Sequence, residues 1–412
     1  MMSNNVAVPK LRFTEFRYAE GWKEKKLKSL GKLVPGLTYQ PSDVRSEGLL
    51  VLRSSNIQNG MIDLEDKVFV RPDVKGAHLS RPDDILICVR NGSKPLIGKN
   101  ALIPEALPLC THGAFMTVFR STEPKFTFQL FQTDAYRNQV VADLGATINS
   151  INGGNLLNYR FYVPETPEQQ KIADCLTSVD DLMTAEAQKL KALKDHKKGL
   201  MQQLFPREGE TTPRLRFPEF RDAGDWDPIE IGDIGPASMC KRVMKSETAS
   251  SGDIPFFKIG TFGKEPDAYI GRDLYEDYKA RFSFPKVGDI LISASGTIGR
   301  LVVFDGSPSY FQDSNIVWID NDESLVCNPF LLRCYETTTW RTEGNTIARL
   351  YNNNLMGIKV IIPKLDEQRK ISDLLASVDD LITAEAQKLE ALKDHKKGLM
   401  QQLFPASDEV NA

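Results

Sequence analysis

The residues of this chain that come closest to handling phosphate are Gly92–Asn100, GSKPLIGKN. A phosphate-binding loop spaces its glycines by four residues, so that backbone N–H groups wrap the phosphates, and follows its Lys with a Ser or Thr for magnesium. Here five residues separate Gly92 from Gly98, and Asn100 follows Lys99. The match fails on both counts. No Asn/Asp-Pro-Pro-aromatic run is present, and no GxGxxG follows a strand. The four histidines have no metal-binding spacing, and His196 and His395 are equivalent positions of a repeated helix. Cys88, Cys110, Cys175, Cys240, Cys327 and Cys334 include no CxxC pair, which argues against a zinc site and a disulfide framework and for free thiols in a reducing compartment. Asp83, Asp84 and Asp289 precede apolar runs and read as turn-closing residues. The expectation is a protein that binds rather than reacts, with no metal and no catalytic residue.

The elements that position the remaining polar residues occur twice. Ser178–Pro206 (SVDDLMTAEAQKLKALKDHKKGLMQQLFP) returns as Ser377–Pro405, with 27 of 29 positions identical and only Met183/Ile382 and Lys191/Glu390 changed. PKLRFTEFR at 9–17 is echoed by PRLRFPEFR at 213–221, Trp22 by Trp226, and Asp84–Ile87 by Asp289–Ile292. Asn155–Pro164 returns as Asn354–Pro363. Elsewhere the halves match only in scattered places. This pattern divides the chain into a variable domain (1–164), a constant helix (165–206), a second variable domain (207–363), and a second constant helix with a C-terminal tail (364–412).

The constant segments carry an apolar seam of alternating 4- and 3-residue steps. In the first copy it runs Ile172, Leu176, Val179, Met183, Leu190, Leu193, Leu200, Leu204, and in the second Ile371, Leu375, Val378, Ile382, Leu389, Leu392, Leu399, Leu403. Glu186 and Lys197 interrupt it. Such spacing predicts a two-helix coiled coil. Thr166, Pro167 and Gln169 read as cap, first helical residue and capping-box partner, with Asp366 as the cap of the second copy. Pro206 and Pro405 stop the helices, each about 57 Å long at 1.5 Å per residue. The domain between them is long enough to return the chain antiparallel. A pseudo-two-fold axis, with a variable domain at either end of a rod, is the expectation.

The variable domains read as α+β. DDILICV, FMTVF and FYVP in the first, and GDILISA, LVVF, NIVWI and KVIIP in the second, are short apolar runs bounded by turn residues. Helices are expected near Phe126–Ala142 and Pro329–Thr342. The net charge of −3 conceals an asymmetry: residues 1–164 hold 21 Lys+Arg against 15 Asp+Glu, and residues 207–363 hold 18 against 23. The N-terminus lacks the layout of a secretory signal, and no apolar run approaches the roughly 20 residues of a membrane span. A cytoplasmic protein without membrane contact is expected.

Gly288-Asp289-Ile290-Leu291-Ile292 is followed by Gly296-Thr297-Ile298-Gly299, and Pro164 and Pro363 precede Glu168-Gln169-Gln170-Lys171-Ile172 and Glu367-Gln368-Arg369-Lys370-Ile371. With the two-fold plan, these residues make the whole chain resemble the specificity subunit of type I restriction-modification systems. The first copy departs from the pattern, with Leu96-Ile97-Gly98-Lys99 in place of GTIG. The resemblance implies two tandem target-recognition domains, each reading one half of a split sequence in double-stranded DNA. It also implies paired helices that act as a ruler and as the dock for two methyltransferase subunits. Those subunits would carry S-adenosylmethionine, motor-nuclease subunits would join through them with ATP and magnesium, and this chain would bind no cofactor.

Under that resemblance, candidate DNA-reading residues are polar positions on loops that flank apolar runs. In the first domain they are Arg53, Ser54, Ser55, Asn56, Arg90, Asn91, Ser93, Lys94, Thr111, His112, Asn149, Ser150 and Asn152. In the second they are Lys258, Thr261, Ser293, Ser295, Thr297, Arg300, Gln312, Ser314, Asn315, Arg349, Tyr351, Asn352 and Asn353. Each has a plainer reading as a turn residue that satisfies its own backbone. For the whole chain, the competing reading is a coiled-coil adaptor whose variable domains bind proteins or glycans. A free-standing DNA-binding regulator fits less well, given an acidic second domain and no helix-turn-helix pattern.

Overall fold

A computed structural model describes residues 6–144, 149–340 and 350–405. The chain divides into two units, Met1–Gln188 with Ala386–Ala412, and Lys189–Glu385. The sequence places its boundaries where variable domain gives way to helix. The units instead divide within the helices, because each helix end is packed into a different core.

In the first unit, Ile85–Cys88 is buried along its whole length. It pairs antiparallel with Asn100–Leu102 on one side and Met116–Ser121 on the other, and Gly31–Pro35 completes a four-stranded sheet. Alternation sorts its side chains between two cores: Ile85 and Ile87 face a cluster with Trp22 and Phe119, while Leu86 and Cys88 face one with Leu50 and Met116. A strand with both faces covered therefore reads as continuous apolar sequence. A second sheet, ordered Cys110–His112, Leu49–Leu52, Phe69–Val70, Val44–Arg45, includes one parallel pairing. Helices Pro124–Leu130 and Asp134–Asp143 cover part of the first cluster.

The second unit repeats this topology. Leu301–Val303, Ile290–Ser293, Ile316–Ile319 and Ala237–Ser238 form its first sheet in the same order. Tyr310–Phe311, Ile254–Phe257, Tyr269–Ile270 and Thr248–Ala249 form the second, again with one parallel pairing. Helix Asn328–Thr337 corresponds to Pro124–Leu130. A further helix, Arg272–Arg281, was not expected from the sequence. It is mostly charged, buries Tyr275 and packs Leu274 and Tyr278 against the same core, so its apolar stripe is short.

The constant helices run Thr166–Leu204 and Leu365–Leu403, 39 residues each. The second begins one residue before Asp366, which lies in its first turn and pairs with Arg369 at 3.4 Å instead of capping the helix. In the first unit, Ile172, Ala173 and Leu176 of the first helix share a core with Leu403 and Phe404 at the end of the second. In the second unit, Ile371 and Leu375 share a core with Met201 and Leu204. Trp22 meets Phe126 and Phe404 at ring distances of 6.3 and 5.9 Å. Trp226 meets Phe330 and Phe205 at 5.8 and 6.0 Å.

The repeated Pro-x-Leu-Arg-Phe segments clasp these helix ends. Arg12 grips Glu168 with two hydrogen bonds of 2.7 Å, and the Leu11 N–H donates to the Gln402 carbonyl at 3.0 Å. Arg216 grips Glu367 with two of 2.8 Å, and the Leu215 N–H donates to Gln203 at 2.9 Å. A fork of planar donors on a carboxylate is the strongest common ion pair, and Glu168 and Glu367 are both buried. Every expected seam residue is buried or half-buried. The charged interruptions are part of the seam as well. In the first unit Lys388 pairs with Glu186 and Lys396 with Asp180; in the second, Lys189 pairs with Glu385 and Lys197 with Asp379. Within each unit, partners that climb along one helix descend along the other, so the helix segments there run antiparallel.

Candidate nucleic-acid interface

In the first unit three loops meet at one end of the Ile85–Cys88 strand. The N–H groups of Val89 and Arg90 both donate to the Phe115 carbonyl, at 3.0 and 3.1 Å, and Ile151 N–H donates to Val89 at 2.8 Å. Ser150 bridges Arg90, and Asn149 lends its carbonyl to Asn91 N–H and its side-chain amide to the Gly92 carbonyl. The Asn91 amide donates to Ser54 Oγ at 3.1 Å. Ser54, Arg90, Asn91, Ser93, Asn149 and Ser150, scattered between positions 54 and 150 in sequence, thereby form one surface. Ser55 and Lys94 are exposed on the loops adjoining it. Asn152 caps helix Gly153–Leu156, accepting from Gly154 N–H at 2.7 Å.

The second unit builds the same frame. Ala294 N–H donates to the Asn315 carbonyl at 2.7 Å, and Leu350 N–H donates to Ala294 at 2.9 Å. Gly98 N–H donates to Cys88 in the first unit, and Gly299 N–H to Ser293 in the second. The two glycines have φ of +85° and +79°, a conformation that side chains resist. A Cβ on Gly299 would also lie 2.3 Å from the Trp340 indole nitrogen. Leu96-Ile97-Gly98-Lys99 is thus the structural counterpart of Thr297-Ile298-Gly299-Arg300. The first copy's departure in sequence is a longer loop between the strand and this turn.

Several sequence candidates are held inside instead. Asn56 is fully buried; its oxygen accepts from Arg53 N–H and its amide donates to the Asp63 and Asp66 carbonyls. Thr111 is buried and donates to the His78 carbonyl. His112 lies between Ser80 Oγ at 3.1 Å and the Val34 carbonyl at 3.0 Å, which makes Nε2 the donor and Nδ1 the acceptor, and burial pushes its pKa down. Ser293 donates to the Thr297 carbonyl and accepts from Arg300 N–H. These four residues complete internal hydrogen bonds and are corrected to structural roles.

Other candidates reach the surface already paired. Arg53 and Lys258 meet Asp66 and Asp267, and Arg300 donates to the Phe262 carbonyl. Gln312 accepts from Ile259 N–H, and Thr261 closes a turn on Lys258. Ser295 is nearly buried and donates to Asn315 Oδ1 at 2.7 Å. Thr297, Tyr351, Asn352 and Asn353 are exposed, and Ser314 and Asn315 are half-buried. Arg349 lies outside the described residues.

One surface residue was missed. Phe115 is 57% exposed, and the Arg90 guanidinium lies 5.8 Å from its ring centre. In sequence it heads the apolar run FMTVF, but the strand starts at Met116, and only the preceding Gly113-Ala114 hints at the loop. Burial raises the pKa of Cys88 and Cys110 and pushes Cys240 up to about 12, which keeps these thiols neutral. A cleft of about 1280 Å³ in the first unit shares no lining residue with the loop surface. It is walled by Arg137, Arg160, Lys393, Lys396 and Lys397. A smaller cleft of about 620 Å³ in the second unit presents the equivalent Lys194, Lys197 and Lys198.

The family model for the type I restriction modification DNA specificity domain matches residues 19–195 and again residues 223–394. The chain belongs to this family. As a type I specificity protein it has curated relatives over most of its length. The StySPI specificity subunit of Salmonella potsdam is 24% identical over 395 residues, covering 88% of this chain and 84% of that one. A putative type I restriction enzyme specificity subunit of Haemophilus influenzae is 62% identical over 154 residues, 37% of this chain and 40% of that one. The crystal structure of the S subunit of a type I restriction-modification system from M. genitalium shares the fold, with a TM-score of 0.62 at 16% identity, covering 97% of this chain and 99% of that one. Among the described residues no helix is long and apolar enough to cross a membrane.

Proposed function

We propose that this chain reads DNA for a type I restriction-modification complex, each unit recognising one half of an interrupted, asymmetric target. The observation that carries this reading is the shared three-loop frame with unlike side chains. Arg90, Phe115 and Ser150 occupy it in the first unit where Ser295 and Asn315 stand in the second. Equal backbones present equal reach, and unlike side chains select unlike bases. Two unlike readers cannot recognise a palindrome. Phosphate contacts from flanking Lys and Arg supply affinity without sequence information.

Two methyltransferase subunits dock on the constant helices in this reading, one per copy. Outward-facing residues of the 29-residue segment repeat as faithfully as the seam, and the lysine-walled clefts recur at equivalent positions. Identical surfaces suit identical partners. S-adenosylmethionine belongs to those subunits, while ATP and magnesium belong to motor-nuclease subunits that join through them. The paired helices fix the spacer between half-sites, and the chain itself supplies recognition and no catalysis. Co-expression with the methyltransferase, followed by genome-wide mapping of methylated adenine, tests the reading. An interrupted motif with two different halves is expected.

A further inference from the structure

We propose that Arg90 with Phe115 in the first unit, and Asn315 oriented by Ser295 in the second, occupy equivalent specificity positions that each decide the identity of a base pair in one half-site. The inference rests on the half-site reading above and goes further, assigning which side chains discriminate and what each selects.

Equivalence comes from the backbone. Cys88 pairs with Met116 in the first unit, and Ser293 pairs with Ile316 in the second. One residue beyond each pair, Val89 N–H donates to Phe115 and Ala294 N–H donates to Asn315. Position 90 therefore corresponds to 295, and 115 to 315. The third loop of the frame agrees, since Ile151 and Leu350 donate to Val89 and Ala294. These hydrogen bonds hold both positions rigidly where the strand leaves the sheet.

The occupants of the frame differ in chemistry. Among the described residues no carboxylate pairs with Arg90; its guanidinium carbon lies over the Phe115 ring, 5.8 Å from the ring centre. That contact favours a guanidinium position beside the ring and leaves its N–H groups available. A fork of donors alone needs two acceptors side by side, which the major-groove edge of guanine offers. The exposed Phe115 ring has only apolar surface to add, which suits the thymine methyl of a neighbouring pair. Asn315 carries both a donor and an acceptor. Ser295 Oγ donates to its Oδ1, leaving two amide N–H groups and one lone pair, the complement of the adenine edge.

The test is motif mapping in cells that express the full chain with its methyltransferase. Phe115→Ala and Arg90→Lys relax one position, a guanine or its neighbour, in one half-site, with discrimination there falling roughly tenfold or more. Asn315→Ala relaxes an adenine in the other half-site. Arg90→Lys keeps the charge and loses the fork, so it separates base reading from general affinity. Both Arg90 and Phe115 are exposed, and unchanged melting curves certify the fold. Three results overturn the proposal: an unaltered motif in all three variants, relaxation of both half-sites by one variant, or uniform loss of modification by correctly folded Arg90→Lys. A wild-type motif that is not interrupted would instead sink the half-site reading, so the two failures are distinguishable.

Discussion

Among single residues, the ones that look most like DNA readers in the sequence divide cleanly once partners are known. His112 follows Thr111 in a polar stretch, yet its imidazole bridges Ser80 and the Val34 carbonyl, 78 positions away. No local pattern reports so distant an acceptor. The buried ring favours the neutral form, so its pKa lies below the ordinary 6.5. Its stabilising share is therefore present above that value and is lost as pH falls through the folded-state pKa. Between about pH 7.5 and about pH 5.5, where histidines dominate titration, melting of the wild type should fall more steeply than melting of His112→Gln. Equal slopes would mean that the ring does not titrate with unfolding. The Arg12–Glu168 pair gives a second test. Its side chains are 8% and 4% exposed, so Arg12→Ala strands a buried carboxylate and should cost about 3–5 kcal/mol in a denaturant titration, whereas a freely solvated pair would cost about 1 kcal/mol or less.

Among the elements, the constant helices were legible and their destinations were not. The seam spacing, the stop at Pro206 and Pro405 and the central strands of the first sheet in each unit follow from periodicity and composition, while the second sheet of each unit does not. Which core each helix end enters does not, because Leu204 and Leu403 occupy the same place in the same repeated sequence. The aromatic residues that receive them, Trp226 with Phe330 and Trp22 with Phe126, are equivalent too, so no local sequence distinguishes the two destinations. Leu403→Ala should therefore destabilise the first unit by about 2–5 kcal/mol. Amide exchange should accelerate at Trp22–Lys26 and Pro124–Leu130 and stay unchanged at Lys359–Ile362, as hydrogen-exchange mass spectrometry can show. Leu204→Ala should produce the opposite pattern. Helix Arg272–Arg281 is hard to read for a different reason: Leu274, Tyr275 and Tyr278 make one short apolar stripe among charged residues, too brief to register as a period.

For the whole molecule, duplication explains more than composition does. Net charge of −3 would discourage a search for DNA, and the acidic second variable region would discourage it further. A surface assembled from loop tips answers to local side chains rather than to totals. Arg242, Lys258 and Lys286 of that region are already paired with Asp313, Asp267 and Asp320. We therefore expect the second unit to contribute selectivity and a methyltransferase partner to contribute much of the charge. Complex formation should then make DNA binding both tighter and more salt-sensitive, with a slope that reports the phosphates neutralised. The central claim remains that two like frames with unlike side chains read one split target. The most direct measurement is single-molecule sequencing of genomic DNA from cells carrying this chain and its methyltransferase. Methylated adenines confined to an interrupted motif with two dissimilar halves are the predicted result. A contiguous or palindromic motif, or methylation that persists unaltered when this chain is deleted, would contradict it.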